Sequence, residues 1–313
     1  DEHAWRVPPL GGDIVDGRLY GRGACDMKGG LIGNLFALSA LREAGFAPAG
    51  DVYVESTISE EDGGAGALAA VLRGYVADAA LISEPTTLAI VPAHGGFLMF
   101  RLHVSGLSAH AGVRDEGVSA VEKFAYLHHG LLEFESRRNR EITHPLYGAM
   151  RNKAPINIGT VRGGSWPSSV PEWLAAEGRA GLVPGERLEA LKAAFAAEIA
   201  ELAAADPWLR DHPPEVKWLT GQFAPSEVPV DSPLVKTLGD AWRRVNGTPP
   251  RIEAVPYGAD MRHFVLTGGM PCVMFGAGDA RVAHAPNESL SLAELFTAIT
   301  TTAVFIAAWC GVD

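Results

Sequence analysis

The sequence has 313 residues, of which 47% are hydrophobic and 20% charged, with a formal net charge of −11. Such a chain is globular and long enough for one large domain or two smaller ones, and its acidity excludes the basic face that nucleic-acid phosphates require. Cys25, Cys272 and Cys310 are odd in number and lack C-x-x-C spacing, which suggests neither a disulfide framework nor a thiolate zinc site and suits a reducing cytoplasm.

The chain opens with "DEHAW" rather than an initiator methionine, and no basic region followed by an apolar stretch is visible there, so no secretory signal is expected from these residues. Residues 13–26, "DIVDGRLYGRGACD", read as short strands broken by turns. In "GGLIGNLFALSALREA" (29–44), Leu31, Leu35, Leu38 and Leu41 recur at helical spacing. "DVYVESTIS" (51–59) alternates as a strand, "AGALAAVLRGY" is helical, and "AALISEP" is a short buried strand. Residues 95–220 then read as strand, helix, two strands, helix and strand, the ferredoxin-like order, which predicts an inserted domain. "FAPSEVPVDSP" (223–233) serves as the return linker, and "PCVMFGAG" is a further strand. The apolar run 290–309 carries Glu294 and several threonines, the pattern of a packed C-terminal helix rather than a membrane span. Strands alternating with helices in 1–94 and 221–313 predict a discontinuous α/β domain, with a mostly parallel sheet and helices on both faces.

In an open α/β sheet the loops at the carboxyl ends of strands line the binding crevice. Asp26, the pair Glu60 and Glu61, and Glu84 each follow a predicted strand. One acid in such a place reads equally well as a helix cap. Four in one crevice would repel unless cations sat among them. His284, in "RVAHAPNE", follows the "PCVMFGAG" strand by a short loop and is the best-placed imidazole for a mixed oxygen and nitrogen metal site. His110, in the turn "GLSAHAG", falls in the inserted domain, where it reads either as a hydrogen-bond donor to a reacting group or as a turn histidine bonded to backbone.

"LYGRGACDMKGG", "STISEEDGG", "ISEPT", "GLSAHAG" and "FGAGDARVAHAPNE" occur in order over essentially the whole chain. Together they resemble the family that contains acetylornithine deacetylase, succinyl-diaminopimelate desuccinylase, aminoacylase and glutamate carboxypeptidase. The resemblance implies two zinc ions, with cobalt or manganese as substitutes, and hydrolysis of a linear amide in an N-acyl amino acid or a short peptide. It makes Asp26 the carboxylate bridging the metals, Glu61 and His284 ligands of one, Glu84 a ligand of the other, and Glu60 the general base. His110 matches an oxyanion-stabilising histidine, and the inserted domain is expected to be a lid or dimerisation domain that forms a homodimer. Arg179 matches a guanidinium that grips the substrate carboxylate, with Asn157 a second substrate contact, while Asp260 and Arg262 match a segment to which no role is assigned.

Two departures qualify the resemblance. Relatives carry an H-x-D ligand motif upstream of "GRGACDMKGG"; His3 is followed two residues later by Trp5, so the motif is absent and the chain reads as lacking that N-terminal segment, with a weakened second metal site. Ser169 stands where relatives often have asparagine, which leaves room for a substrate without an α-carboxylate. Other classes fit less well. "GRGACD" has Asp26 where a dinucleotide loop needs a third small residue, and no G-x-S-x-G elbow occurs. A dipeptidase or carboxypeptidase, or a non-catalytic amino-acid or peptide binder that kept the fold, stays as the alternative.

Overall fold

The computed structural model describes residues 4–312, so His3 lies outside the described residues. In chain order the elements are β1 (Ile14–Val15), β2 (Arg18–Tyr20), α1 (Gly29–Glu43), α2 (Ala65–Leu72), β3 (Ala80–Ile82), β4 (Ile90–His94) and β5 (Gly96–Ser105). They continue with α3 (Ala120–Glu141), β6 (Ile156–Gly163), β7 (Trp173–Leu182), α4 (Leu188–Ala205), α5 (Pro207–Asp211) and β8 (Glu215–Trp218). The remainder are β9 (Ser226–Glu227), α6 (Pro233–Asn246), β10 (Ile252–Val255), β11 (Cys272–Met274), β12 (Ser289–Ser291) and α7 (Leu292–Cys310). Contacts divide the chain into unit 1, Asp1–Ala93 with Glu227–Ala254 and Asp260–Asp313, and unit 2, His94–Ser226 with Val255–Ala259.

Unit 1 is α/β. Its main sheet runs β10-β4-β11-β3, with β9 beside β4, and a small antiparallel sheet runs β1-β2-β12. The main sheet is mixed rather than mostly parallel: β11 is parallel to β3 but antiparallel to β4. Parallel neighbours need a long crossover. The connection 83–89 between β3 and β4 contains no helix, so β4 returns in the opposite direction. The strand expected over 51–59 is also absent as a ladder. Alternation specifies extended backbone, but a strand exists only when a neighbour accepts its hydrogen bonds, and residues 51–57 pair with none of the described strands.

Helix ends in unit 1 follow local chemistry. α6 starts with Ser232, whose hydroxyl accepts from the Val235 N–H, has Pro233 in its first turn, and stops at Gly247 with φ of 70°. α7 is capped by Ser291, which accepts from the Glu294 N–H, and buries Ala298, Thr301, Thr302, Ala303, Phe305 and Ile306. By length and composition α7 is the one helix among the described residues apolar enough to cross a membrane. Here it packs against α1 and α6.

Unit 2 is a four-stranded antiparallel sheet in the order β6-β7-β5-β8. Alternate β5 residues Leu98, Phe100, Leu102 and Val104 are fully buried and pack with Phe124, Leu127 and Leu131 of α3 and Phe195 of α4. The period of two in the strand and of three to four in the helices puts each apolar row against the other.

Candidate metal centre

Asp26 follows β2 in Ala24–Lys28, a widened helical turn that Asp26 itself breaks with φ −123° and ψ 94°. The Asp26–Met27 peptide is cis. Glu288, 1% exposed, holds this loop from behind. Its carboxylate accepts from the backbone N–H groups of Gly23 (3.0 Å), Cys25 (2.9 Å) and Asp26 (3.0 Å), and from Arg22 Nη1 (2.8 Å). Four donors converge on one carboxylate, which fixes where the Asp26 side chain starts.

Glu60–Asp62 form a single 3₁₀ turn between Ser59, at φ 64°, and Gly63 and Gly64, at φ 126° and 69°. Three residues per turn set successive side chains about 120° apart. Glu60 and Glu61 therefore face different groups, although the segment is not a strand end. Glu61 Oε1 lies 2.8 Å from His284 Nε2, and Asp26 Oδ2 lies 3.2 Å from the same nitrogen. His284 occupies the left-handed region, φ 59°, so backbone conformation as well as sequence aims its ring.

Asp26, Glu61 and His284 each offer a ligand atom within 4.8 Å of the others. Carboxylate oxygen and imidazole nitrogen are the donors that zinc and related divalent ions accept. The electrostatics fit a cation too. Burial and then the Glu61 charge push the Asp26 carboxyl up, against the opposing pull of His284. The hydrogen bond to Glu61, with the charges of Glu61 and Asp26, raises His284 despite its partial burial. Glu60 is pushed up to about 7 by burial and by Asp260, Glu61 and Asp26, with Arg262 opposing. Glu84, 7% exposed, is raised well above the usual carboxylate range by burial, then by Asp26 and Glu60. It lines the same cavity of about 790 Å³ as Asp26, Glu60, Glu61 and Asp260, but it is not one of the three clustered ligands. Crowded carboxylates that hold protons this tightly give them up to a cation.

The remaining expected site residues belong to unit 2. His110 caps the short helical turn Ala111–Glu116, its Nδ1 accepting from the Gly112 N–H at 3.1 Å. An accepting Nδ1 places the proton of the neutral ring on Nε2, which makes Nε2–H a donor. Asn157 and Arg179 are cross-strand partners on β6 and β7. The Arg179 guanidinium lies 4.2 Å over the Phe97 ring, and its buried Nε has no hydrogen-bond partner among the described residues. Burial lowers its pKa.

Four groups around the acids carried no assigned role in the sequence: Glu288, Asp260, Arg262 and His263. Glu288 sits four residues after His284 in "HAPNE", a spacing with no pattern attached. Its importance appears only when three N–H groups from another loop meet it.

A carboxylate and imidazole cluster at loop ends of an α/β unit is a layout suited to a metallohydrolase. The chain belongs to peptidase family M20/M25/M40, whose profile matches residues 1–308, and it is accordingly a hydrolase family member. Among curated relatives it is similar to the N-formyl-4-amino-5-aminomethyl-2-methylpyrimidine deformylase of Bacillus subtilis, 30% identical over 99% of this chain and 76% of the relative. It is also similar to the acetylornithine deacetylase of Myxococcus xanthus, 28% identical over 95% of this chain and 74% of the relative. Among solved structures, an M20 family metallo-carboxypeptidase from Sulfolobus solfataricus superposes with a TM-score of 0.73 at 20% identity, over 97% of this chain and 80% of that one.

Proposed function

We propose that the protein is a divalent-metal-dependent deacylase that hydrolyses the linear amide of an N-acyl amino acid or a related N-acyl amine, N-formyl amines included. The observation that carries this reading is the cluster of Asp26, Glu61 and His284 with Glu60 beside it. In this reading Asp26, Glu61 and His284 hold one zinc, and Asp26 with Glu84 serves a second. Bound there, divalent cations supply Lewis acidity toward the amide carbonyl and lower the pKa of a water.

Glu60 takes the proton of the attacking water and delivers it to the departing amine. A partly buried carboxylate beside the ligand cluster is placed to accept a proton and return it. The Nε2–H of His110 is the proposed donor to the oxyanion, supported by its accepting Nδ1. Arg179 and Asn157 are the proposed substrate contacts. Unit 2 is proposed as the lid and as the homodimer-forming domain, with the exposed edge strand β6 available for pairing, and a cytoplasmic location is proposed with it.

Arg179 favours a second reading, cleavage of dipeptides or C-terminal residues. A half-buried guanidinium stacked on Phe97, with its Nε unpartnered, suits a substrate carboxylate. A screen of N-formyl, N-acetyl and N-succinyl amines and of dipeptides, with Zn²⁺ or Co²⁺ supplied, separates the two. Turnover of acylated amines supports deacylation, turnover of dipeptides alone supports the second reading, and no turnover by the metal-loaded protein refutes both.

A further inference from the structure

The acid turn is tied down by a segment to which the proposed reaction gives no task. Gly63 is the residue that closes the Glu60–Asp62 turn, and its carbonyl oxygen accepts from Arg262 Nη2 at 2.8 Å. The same oxygen lies 3.3 Å from His263 Nε2. Two consecutive side chains thus converge on one carbonyl about 200 positions away in sequence. Behind them stands Asp260. Its Oδ1 lies 4.0 Å from Arg262 Nη2 and 3.9 Å from His263 Nε2, and makes no hydrogen bond among the described residues. Asp260 and Arg262 are 4% and 5% exposed, so these charges are held in the interior.

Burying an arginine, a histidine and an aspartate costs free energy that their geometry must offset. A fold needing only to seal this region would place apolar side chains here. The polar arrangement instead fixes one backbone oxygen in the loop that presents Glu60 and Glu61. The chain approaches closely as well: a Cβ at Gly64 would overlap Asp260 Oδ1 and come within 2.7 Å of His263 Nε2. The turn, the clamp and Asp260 are therefore packed directly against one another.

We infer that Arg262 and His263, backed by the Asp260 carboxylate, are positioning residues for the acid turn: by holding the Gly63 carbonyl they set the placement of Glu61 as a metal ligand and of Glu60 beside it. The inference rests on the reading of Glu61 as a ligand. It extends that reading to a segment outside the three clustered ligands, acting as outer partners of metal ligands do.

The test uses Co²⁺ alone as the probe. Chelator-treated protein is titrated with Co²⁺ at a temperature well below its unfolding transition, comparing wild type with Arg262→Met, Arg262→Lys, His263→Phe and Glu61→Gln. Arg262→Met is expected to weaken Co²⁺ binding by about tenfold or more while circular dichroism stays that of a folded protein. Arg262→Lys should recover part of the loss, because an ammonium can still donate to the Gly63 oxygen. His263→Phe removes the longer contact and should weaken binding by a smaller factor; it keeps the test decisive if Arg262→Met does not fold. Wild-type affinity in the Arg262→Met and His263→Phe proteins, with Glu61→Gln weakened, overturns the clamp and leaves the ligand assignment standing. Wild-type affinity in Glu61→Gln overturns the ligand assignment and the clamp with it. Loss of thermal stability without loss of affinity reduces Arg262 and His263 to structural residues and also overturns the inference.

Discussion

Replacing Gly64 by alanine tests how tightly the acid turn is packed. Two costs are separable. Gly64 has φ of 69°, where a residue with a Cβ is disfavoured by about 1–2 kcal/mol. The added methyl would also overlap Asp260 Oδ1 and stand 2.7 Å from His263 Nε2 and 2.9 Å from Asp260 Cγ. Asp260 is 4% exposed and cannot swing into solvent, so relief requires the turn or the 260–263 segment to shift. Overpacking of this kind costs about 1–3 kcal/mol, giving a total of roughly 2–5 kcal/mol. Gly247 provides the control: it has φ of 70°, ends α6, and has nothing within 4 Å of where a Cβ would stand, so Gly247→Ala carries the backbone cost alone. Urea unfolding of both variants, analysed with a common slope, should place Gly64→Ala below Gly247→Ala by about 1–3 kcal/mol. Equal midpoints for the two would refute the close packing of the acid turn against Asp260.

Glu60→Gln should lower turnover about 10²- to 10⁴-fold with metal content by atomic absorption unchanged; wild-type turnover would remove Glu60 from the proton transfer. In chelator-treated protein, Glu60 is raised to about 7, Asp260 to about 6 and Glu84 well above its usual range, whereas unfolded carboxyls lose their protons near about 4. The native state then binds more protons than the unfolded state between those values, so stability is greatest below about 4 to 5 on their account and is lost as pH rises through about 7. Urea midpoints that rise from about pH 5 to about pH 8 would contradict this, and added Zn²⁺ should restore stability at the upper end. Glu288→Gln turns an NH₂ group toward donors of Gly23, Cys25 and Asp26 and should cost about 1–3 kcal/mol in urea unfolding, with weaker metal binding. Arg179→Met should raise KM for substrates bearing a carboxylate and leave acyl amines without one unaffected; equal effects on both would argue against carboxylate recognition.

Much of the architecture was legible because it is written in local chemistry. The helical spacing of Leu31, Leu35, Leu38 and Leu41 marks α1, and the alternation of Leu98, Phe100, Leu102 and Val104 sets the face of β5. Such signals act over a few residues, where rotamer limits and capping bonds operate. For the candidate ligands the sequence offered a different kind of signal. Acids and a histidine placed after strand-like runs point to one crevice, and Asp26, Glu61 and His284 do converge within 4.8 Å.

What pairing and close approach decide could not be read along the chain. Residues 51–59 alternate like a strand, yet alternation has no means of supplying a hydrogen-bonding neighbour. The direction of β4 depends on the helix-free connection 83–89 and on β11, far away in sequence. In sequence Asp260 and Arg262 match a family segment with no role attached, and Glu288 and His263 carry no signal of their own; their burial and contacts set them behind Asp26 and the acid turn. The sequence by itself determined which residue types can bind a cation and which segments coil or extend. Tertiary structure decided which carboxylates share a cavity and how rigidly each is held, because charge coupling and hydrogen bonding depend on distances that only the folded chain sets.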